Sequence, residues 1–161
     1  MKKFVPLIAV LAFMPQMAHA LANEWSEPGF MGGYGTFILT NSKKQLIDLS
    51  CNYGAGSFGV DHSISYYPKG RNGNSTNPNI ISMKFDNGPM MYPPAAKRPT
   101  TRTNRGAADW KKFVNGIAKA RKIQVYANNK LVATFTPTAK SVKEFSTTVK
   151  EVCGEPLRDM D

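Results

Sequence analysis

The stretch KIQVYANNKLVATFT, Lys122 to Thr136, places two runs of strand-forming residues on either side of Asn128-Asn129. Asparagine tolerates the positive φ that both central positions of a two-residue hairpin turn require. The pattern therefore predicts a hairpin with strands Lys122–Ala127 and Lys130–Thr136. What flanks it sets the class. Before it, Trp110, Phe113, Val114 and Ile117 follow the i, i+3, i+4, i+7 spacing of one buried helical stripe, and Lys111, Lys112 and Lys119 group on nearly the opposite side. After it, Thr138 is an N-cap candidate for a helix whose apolar stripe reads Val142, Phe145, Val149 and Val152, with Cys153 at its end. Helix, hairpin and helix thus fill the C-terminal third.

Upstream, the chain reads as strands. Tyr34–Thr40 and Gln45–Cys51 flank the polar turn Asn41-Ser42-Lys43-Lys44, a second hairpin signal in which Ile47, Leu49 and Cys51 share the inward face. From Phe58 to Tyr67 the period is two, with Phe58, Val60, His62, Ile64 and Tyr66 on one face. Turn chemistry fills Pro68 to Asn79, and Ile80–Phe85 is a further strand ended by Asp86-Asn87-Gly88. Pro93, Pro94 and Pro99 predict an extended loop over Pro93–Arg105, while the Gly-rich residues 21–33, with Trp25, read as an irregular lead-in. The expected class is α+β: an antiparallel β-sheet or sandwich with two amphipathic helices and one disulfide.

Residues 1–20 have the three parts of a cleavable signal peptide: Lys2 and Lys3, an apolar run from Phe4 to Phe13, and Ala18-His19-Ala20 as a small-x-small site. Cleavage leaves residues 21–161, enough for a single globular domain, in a chain that is 42% hydrophobic and 11% aromatic. The expected location is periplasmic or secreted. In such an oxidising compartment Cys51 and Cys153, the two cysteines, are expected to pair.

Chemistry-bearing patterns are sparse. His62 is the one histidine left after cleavage, so a two-His metal site cannot be built, and no metal or cofactor is expected. Asp61-His62-Ser63 resembles a triad in letters only, because neighbours on a strand point to opposite faces. Gly32-Gly33-Tyr34-Gly35 is too short for a phosphate-binding loop. An enzyme is not expected.

Charge is the feature above background. Loss of Lys2 and Lys3 takes the formal charge from +10 to +8. From Lys97 to Lys130, the cations Lys97, Arg98, Arg102, Arg105, Lys111, Lys112, Lys119, Arg121, Lys122 and Lys130 face Asp109 alone, a net of +9. A basic loop leading into a helix with a basic outer face would attract an anionic partner: a lipid headgroup, an acidic envelope polymer or an acidic protein. Nucleic acid is less favoured, because Trp110 and Phe113 belong to the core stripe rather than to a stacking platform.

The Trp25 lead-in, the strand ending at Cys51, the helix start Ala107-Ala108-Asp109-Trp110, the Lys122–Phe135 hairpin and the closing helix ending at Cys153 together resemble small exported bacterial proteins of the invasion-associated locus B kind and similar secretion-system accessory proteins. The resemblance implies a periplasmic β-sandwich-like domain with a binding or accessory role in a secretion or transfer system. The basic loop from Lys97 to Arg105 departs from that pattern. Two other readings stand beside it: an inhibitor or exclusion factor acting through exposed loops such as Pro68–Asn79, and a hydrolase depending on His62.

Overall fold

The computed structural model describes residues 22–26, 29–54, 62–77, 80–93 and 104–154. Two four-stranded antiparallel sheets form. The first, sheet A, runs β1 (Gly29–Met31), β2 (Tyr34–Thr40), β3 (Leu46–Asn52) and β4 (Ser63–Tyr67) in chain order. The second, sheet B, contains β5 (Ile81–Phe85), β6 (Met90–Met91), β7 (Ile123–Ala127) and β8 (Lys130–Phe135) in the order β6-β5-β7-β8. Helix α1 (Asn104–Ile117) connects β6 to β7, and α2 (Ala139–Cys153) closes the chain. The α+β class with its two helices is as expected, and the sheet count resolves in favour of two sheets. No helix among the described residues is long and apolar enough to cross a membrane.

Turn chemistry explains the registers. Asn128 and Asn129 adopt φ of 49° and 62° between the paired Ala127 and Lys130, as a two-residue hairpin turn demands. Asn41 holds the β2–β3 turn: its Oδ1 accepts from the amides of Lys43 and Gln45 at 3.1 and 3.0 Å. Its Nδ2 reaches across to the Thr134 carbonyl at 3.1 Å, and Gln45 Nε2 donates to that of Val132 at 3.2 Å. These side chains occupy carbonyls of the edge strand β8, which would otherwise stand open to another chain.

Strand alternation then builds one core. Phe37 and Leu39 of β2, Ile47, Leu49 and Cys51 of β3, and Ile64 and Tyr66 of β4 are buried, and the residues between them face outward. Ile81, Met83 and Phe85, with Ile123, Val125 and Phe135, supply the buried residues of sheet B, where Ser82 is buried as well. The predicted α1 stripe of Trp110, Phe113, Val114 and Ile117 is fully buried in the same cluster. Cys51 and Cys153 are disulfide-bonded, with Cα atoms 5.2 Å apart.

Four expectations need correcting. The lead-in is not irregular throughout: Gly29–Met31 pairs with β2, and Trp25 forms an isolated bridge to Leu39. Gly32 and Gly33, at φ of 58° and 84°, make a two-residue turn of the kind that needs positive φ twice, and glycine supplies it without steric cost. The second correction concerns α1, which begins at Asn104, so Arg105 is helical rather than part of the loop. Third, the buried stripe of α2 is Ser141, Phe145, Val149 and Cys153, with Val142 and Val152 only half-buried. Two contacts set that rotation: the bridge draws Cys153 inward, and Ser141 Oγ accepts the Trp25 amide at 2.7 Å. Thr138 is the N-cap as expected, its hydroxyl accepting from Ser141 N at 3.2 Å. Finally, the strand predicted from Phe58 begins at Ser63 in the described residues, with Phe58 and Val60 outside them.

The first and last segments clasp each other. Trp25 stacks flat on Phe145 of α2, ring centroids 3.9 Å apart and planes 2° from parallel. Thr138 N donates to the Asn23 carbonyl at 3.0 Å. Trp25 Nε1 is buried without a hydrogen-bond partner, a desolvation cost that the stacking must outweigh.

Candidate functional site

The basic region from Lys97 to Lys130 divides into two parts. Lys97, Arg98 and Arg102 lie outside the described residues. Arg105, Lys111, Lys112 and Lys119 project from α1 or the residues just past it, and Arg121 and Lys122 follow in the turn into β7; all six are exposed. Helical periodicity accounts for the helix face, since burying Trp110, Phe113, Val114 and Ile117 turns the lysines between them outward. Asp86, at the end of β5, fixes the turn: its Oδ1 accepts from the amides of Arg121 and Lys122 at 3.0 and 2.8 Å. Asp86 thus spends its carboxylate on backbone amides.

Among the described residues, none of these cations forms an ion pair; the pair present is Lys140–Glu144 on α2, 4.0 Å apart and highly exposed. The first turn of α1 carries no acid and does carry Arg105. A cation there opposes the helix dipole, which favours negative charge at the N-terminus. The surface is therefore positive on balance, with Asp109 the acid of α1 that stands among the cations.

His62 sits elsewhere. It is 1% exposed, stacks on Trp110 with centroids 5.2 Å apart, and its Nδ1 accepts from Asn52 N at 3.1 Å. That makes it a core histidine, tying β3 to α1.

A family model described as YfjT matches residues 23–146. The chain belongs to the YfjT family. No curated protein and no solved structure matches it. The part matched as YfjT runs from the Asn23 clasp through both sheets and α1 to the residue after Phe145, so it includes the described basic face.

The YfjT fold also presents a concavity that no sequence pattern singled out. Asp48 points away from the core on β3, paired with Ile38 on one side and Ser65 on the other. With Ser26, Thr36, Tyr67 and Arg71 it lines a space of about 600 Å3 on the outer face of sheet A. Partial burial pushes the Asp48 carboxyl above its ordinary range, while the Ser50 hydroxyl, donating at 2.8 Å, and the Arg71 charge pull against that. Alternation marks Asp48 as outward-facing, but its neighbours come from four separate segments. No spacing in the sequence links them.

Because the folded state holds the Asp48 proton more tightly than the unfolded chain does, stability falls as pH rises from the ordinary carboxylate pKa through the raised folded value. Above that window the penalty is fully present. Asp48→Asn is therefore expected to be more stable than wild type at neutral pH, the gap closing on acidification. Thermal midpoints of both proteins across the pH range check this; a variant no more stable at neutral pH would show that the Ser50 and Arg71 contacts outweigh burial.

Proposed function

We propose that this is an exported, non-enzymatic binding or accessory protein of the bacterial envelope, acting in a secretion or transfer system and holding an anionic partner on the outer face of α1. The observation that carries the reading is the run of exposed cations Arg105, Lys111, Lys112, Lys119 and Arg121, none of which pairs with an acid among the described residues. A surface shaped only for solubility would intersperse both signs. The disulfide fits export to an oxidising compartment, where such bridges persist.

Charge reversal tests the reading. Arg105→Glu/Lys111→Glu/Lys112→Glu is expected to elute from an immobilised sulfated polysaccharide at clearly lower salt than wild type, with affinity down on the order of tenfold or more. Lys143→Glu, an exposed position on α2, serves as the control. Placing Glu at position 105 favours the helix dipole, so weakened retention would not report unfolding. Unchanged retention and salt dependence would remove the α1 face as the binding surface.

A further inference from the structure

On the outer face of sheet A, polar side chains from five segments converge on one hollow. Alternation places Thr36 and Ile38 of β2, Asp48 of β3 and Tyr67 of β4 on that face, with Asp48 in the middle, paired to Ile38 and Ser65. The face is not flat. Leu46, outward by the same alternation, is only 4% exposed, and Arg71 of the 3-10 turn Gly70–Asn72 lines the hollow beside it. Gly70 seats that turn: its φ is 66°, and a side chain there would meet the Lys44 carbonyl at 2.7 Å. On the far side of β2, Ser26 is held by a reciprocal pair with Ile38, its N donating at 2.8 Å and its Oγ accepting at 3.1 Å.

The hydrogen-bonding capacity gathered here is largely unspent. Among the described residues, Arg71 and the hydroxyls of Thr36 and Tyr67 make no hydrogen bond and no ion pair, and the Ser26 hydroxyl donates to no acceptor. Asp48 receives one side-chain donor, Ser50 Oγ at 2.8 Å, against the roughly four acceptor sites of a carboxylate. Burial outweighs its contacts and leaves the carboxyl raised. At about 600 Å3 the hollow has the size of a small-molecule site.

We propose that this hollow binds a small neutral saccharide, whose adjacent hydroxyls donate to Asp48 and accept from Arg71 and Thr36. The mixture of groups selects the class. A cation would suit Asp48 and be repelled by Arg71, and an anion would suit Arg71 and be repelled by Asp48. A zwitterion would satisfy both charges and leave the hydroxyls of Ser26, Thr36 and Tyr67 without partners. Sugar hydroxyls each donate and accept, so neighbouring ones match a carboxylate, a guanidinium and hydroxyls together. The apolar face of a pyranose ring then has Ile38 to rest on. The α1 surface plays no part, since none of its described cations lines the hollow.

Amide chemical-shift titration of the oxidised protein with maltose, cellobiose and N,N′-diacetylchitobiose tests this. At least one of these disaccharides is expected to give saturable shifts centred on Thr36, Asp48, Tyr67 and Arg71. Asp48→Asn is expected to weaken that binding about tenfold, the scale of a hydrogen bond to a charged group. The same variant is expected to be the more stable protein at neutral pH, so weakened binding would not report unfolding. Arg71→Ala, at an exposed position, is expected to weaken binding about as much, and Lys143→Glu on α2 to leave it unchanged. No saturable shift with any of the three sugars, or shifts centred elsewhere, would overturn the site. Binding indifferent to Asp48→Asn or to Arg71→Ala would overturn it too. If glycine betaine or sulfate moves the same amides at lower concentration than the sugars do, the hollow selects charge and the saccharide inference falls. Each of these failures leaves the anionic-partner reading of α1 standing.

Discussion

Cys51→Ser/Cys153→Ser is expected to lose up to about 4.7 kcal/mol of unfolding free energy, the chain-entropy value for a loop of roughly 100 residues. The bridge spans 102 positions and joins β3 to the end of α2, so removing it frees nearly the whole domain in the unfolded state. Both cysteines are completely buried, and paired serine hydroxyls in their place add a desolvation cost. Set against native stabilities of about 5–15 kcal/mol, this leaves the domain near its threshold. Urea unfolding of oxidised wild type, reduced wild type and the double variant gives the answer. The last two should unfold at similar, much lower midpoints; three coincident curves would show that the bridge contributes nothing.

Trp110→Ala is expected to cost about 3–5 kcal/mol, the range for truncating a large buried aromatic. Trp110 stacks on His62 and, with centroids 5.8 Å apart, on Phe113, while Nε1 donates to the Cys153 carbonyl. One side chain therefore links α1 to β3, through the His62–Asn52 hydrogen bond, and to the terminus of α2. Alanine leaves a cavity and deprives that carbonyl of its donor. Trp110→Phe keeps a ring against His62 and gives up the hydrogen bond and the packing of the second ring, for a smaller cost of about 1–3 kcal/mol. Denaturant midpoints separate the two; a phenylalanine variant as weak as the alanine one would refute packing as the main contribution.

The legible parts of the fold are those where local chemistry and long-range packing agree. Asn128-Asn129 announces a hairpin because few other dipeptides accept positive φ twice, and the α1 stripe is readable because both its faces are consistent. Gly29–Met31 was opaque: Gly32-Gly33 reads equally as a flexible lead-in, and only pairing with β2 makes it a strand. The α2 stripe came out rotated because Ser141, polar by type, is buried by a hydrogen bond to Trp25, 116 positions away. The basic face was visible as charge on one side of a helix. The Asp48 concavity was not, since it gathers residues from segments that share no periodicity.

The clasp between Trp25 and Phe145 has a temporal consequence. A polypeptide emerges from its N-terminus, so sheet A is complete in sequence by Tyr67 while the ring that covers Trp25 and the thiol that meets Cys51 arrive last. Until then the part of its inner face that packs on α2 lacks its cover. The final helix is thus a latch made after the elements that it fastens.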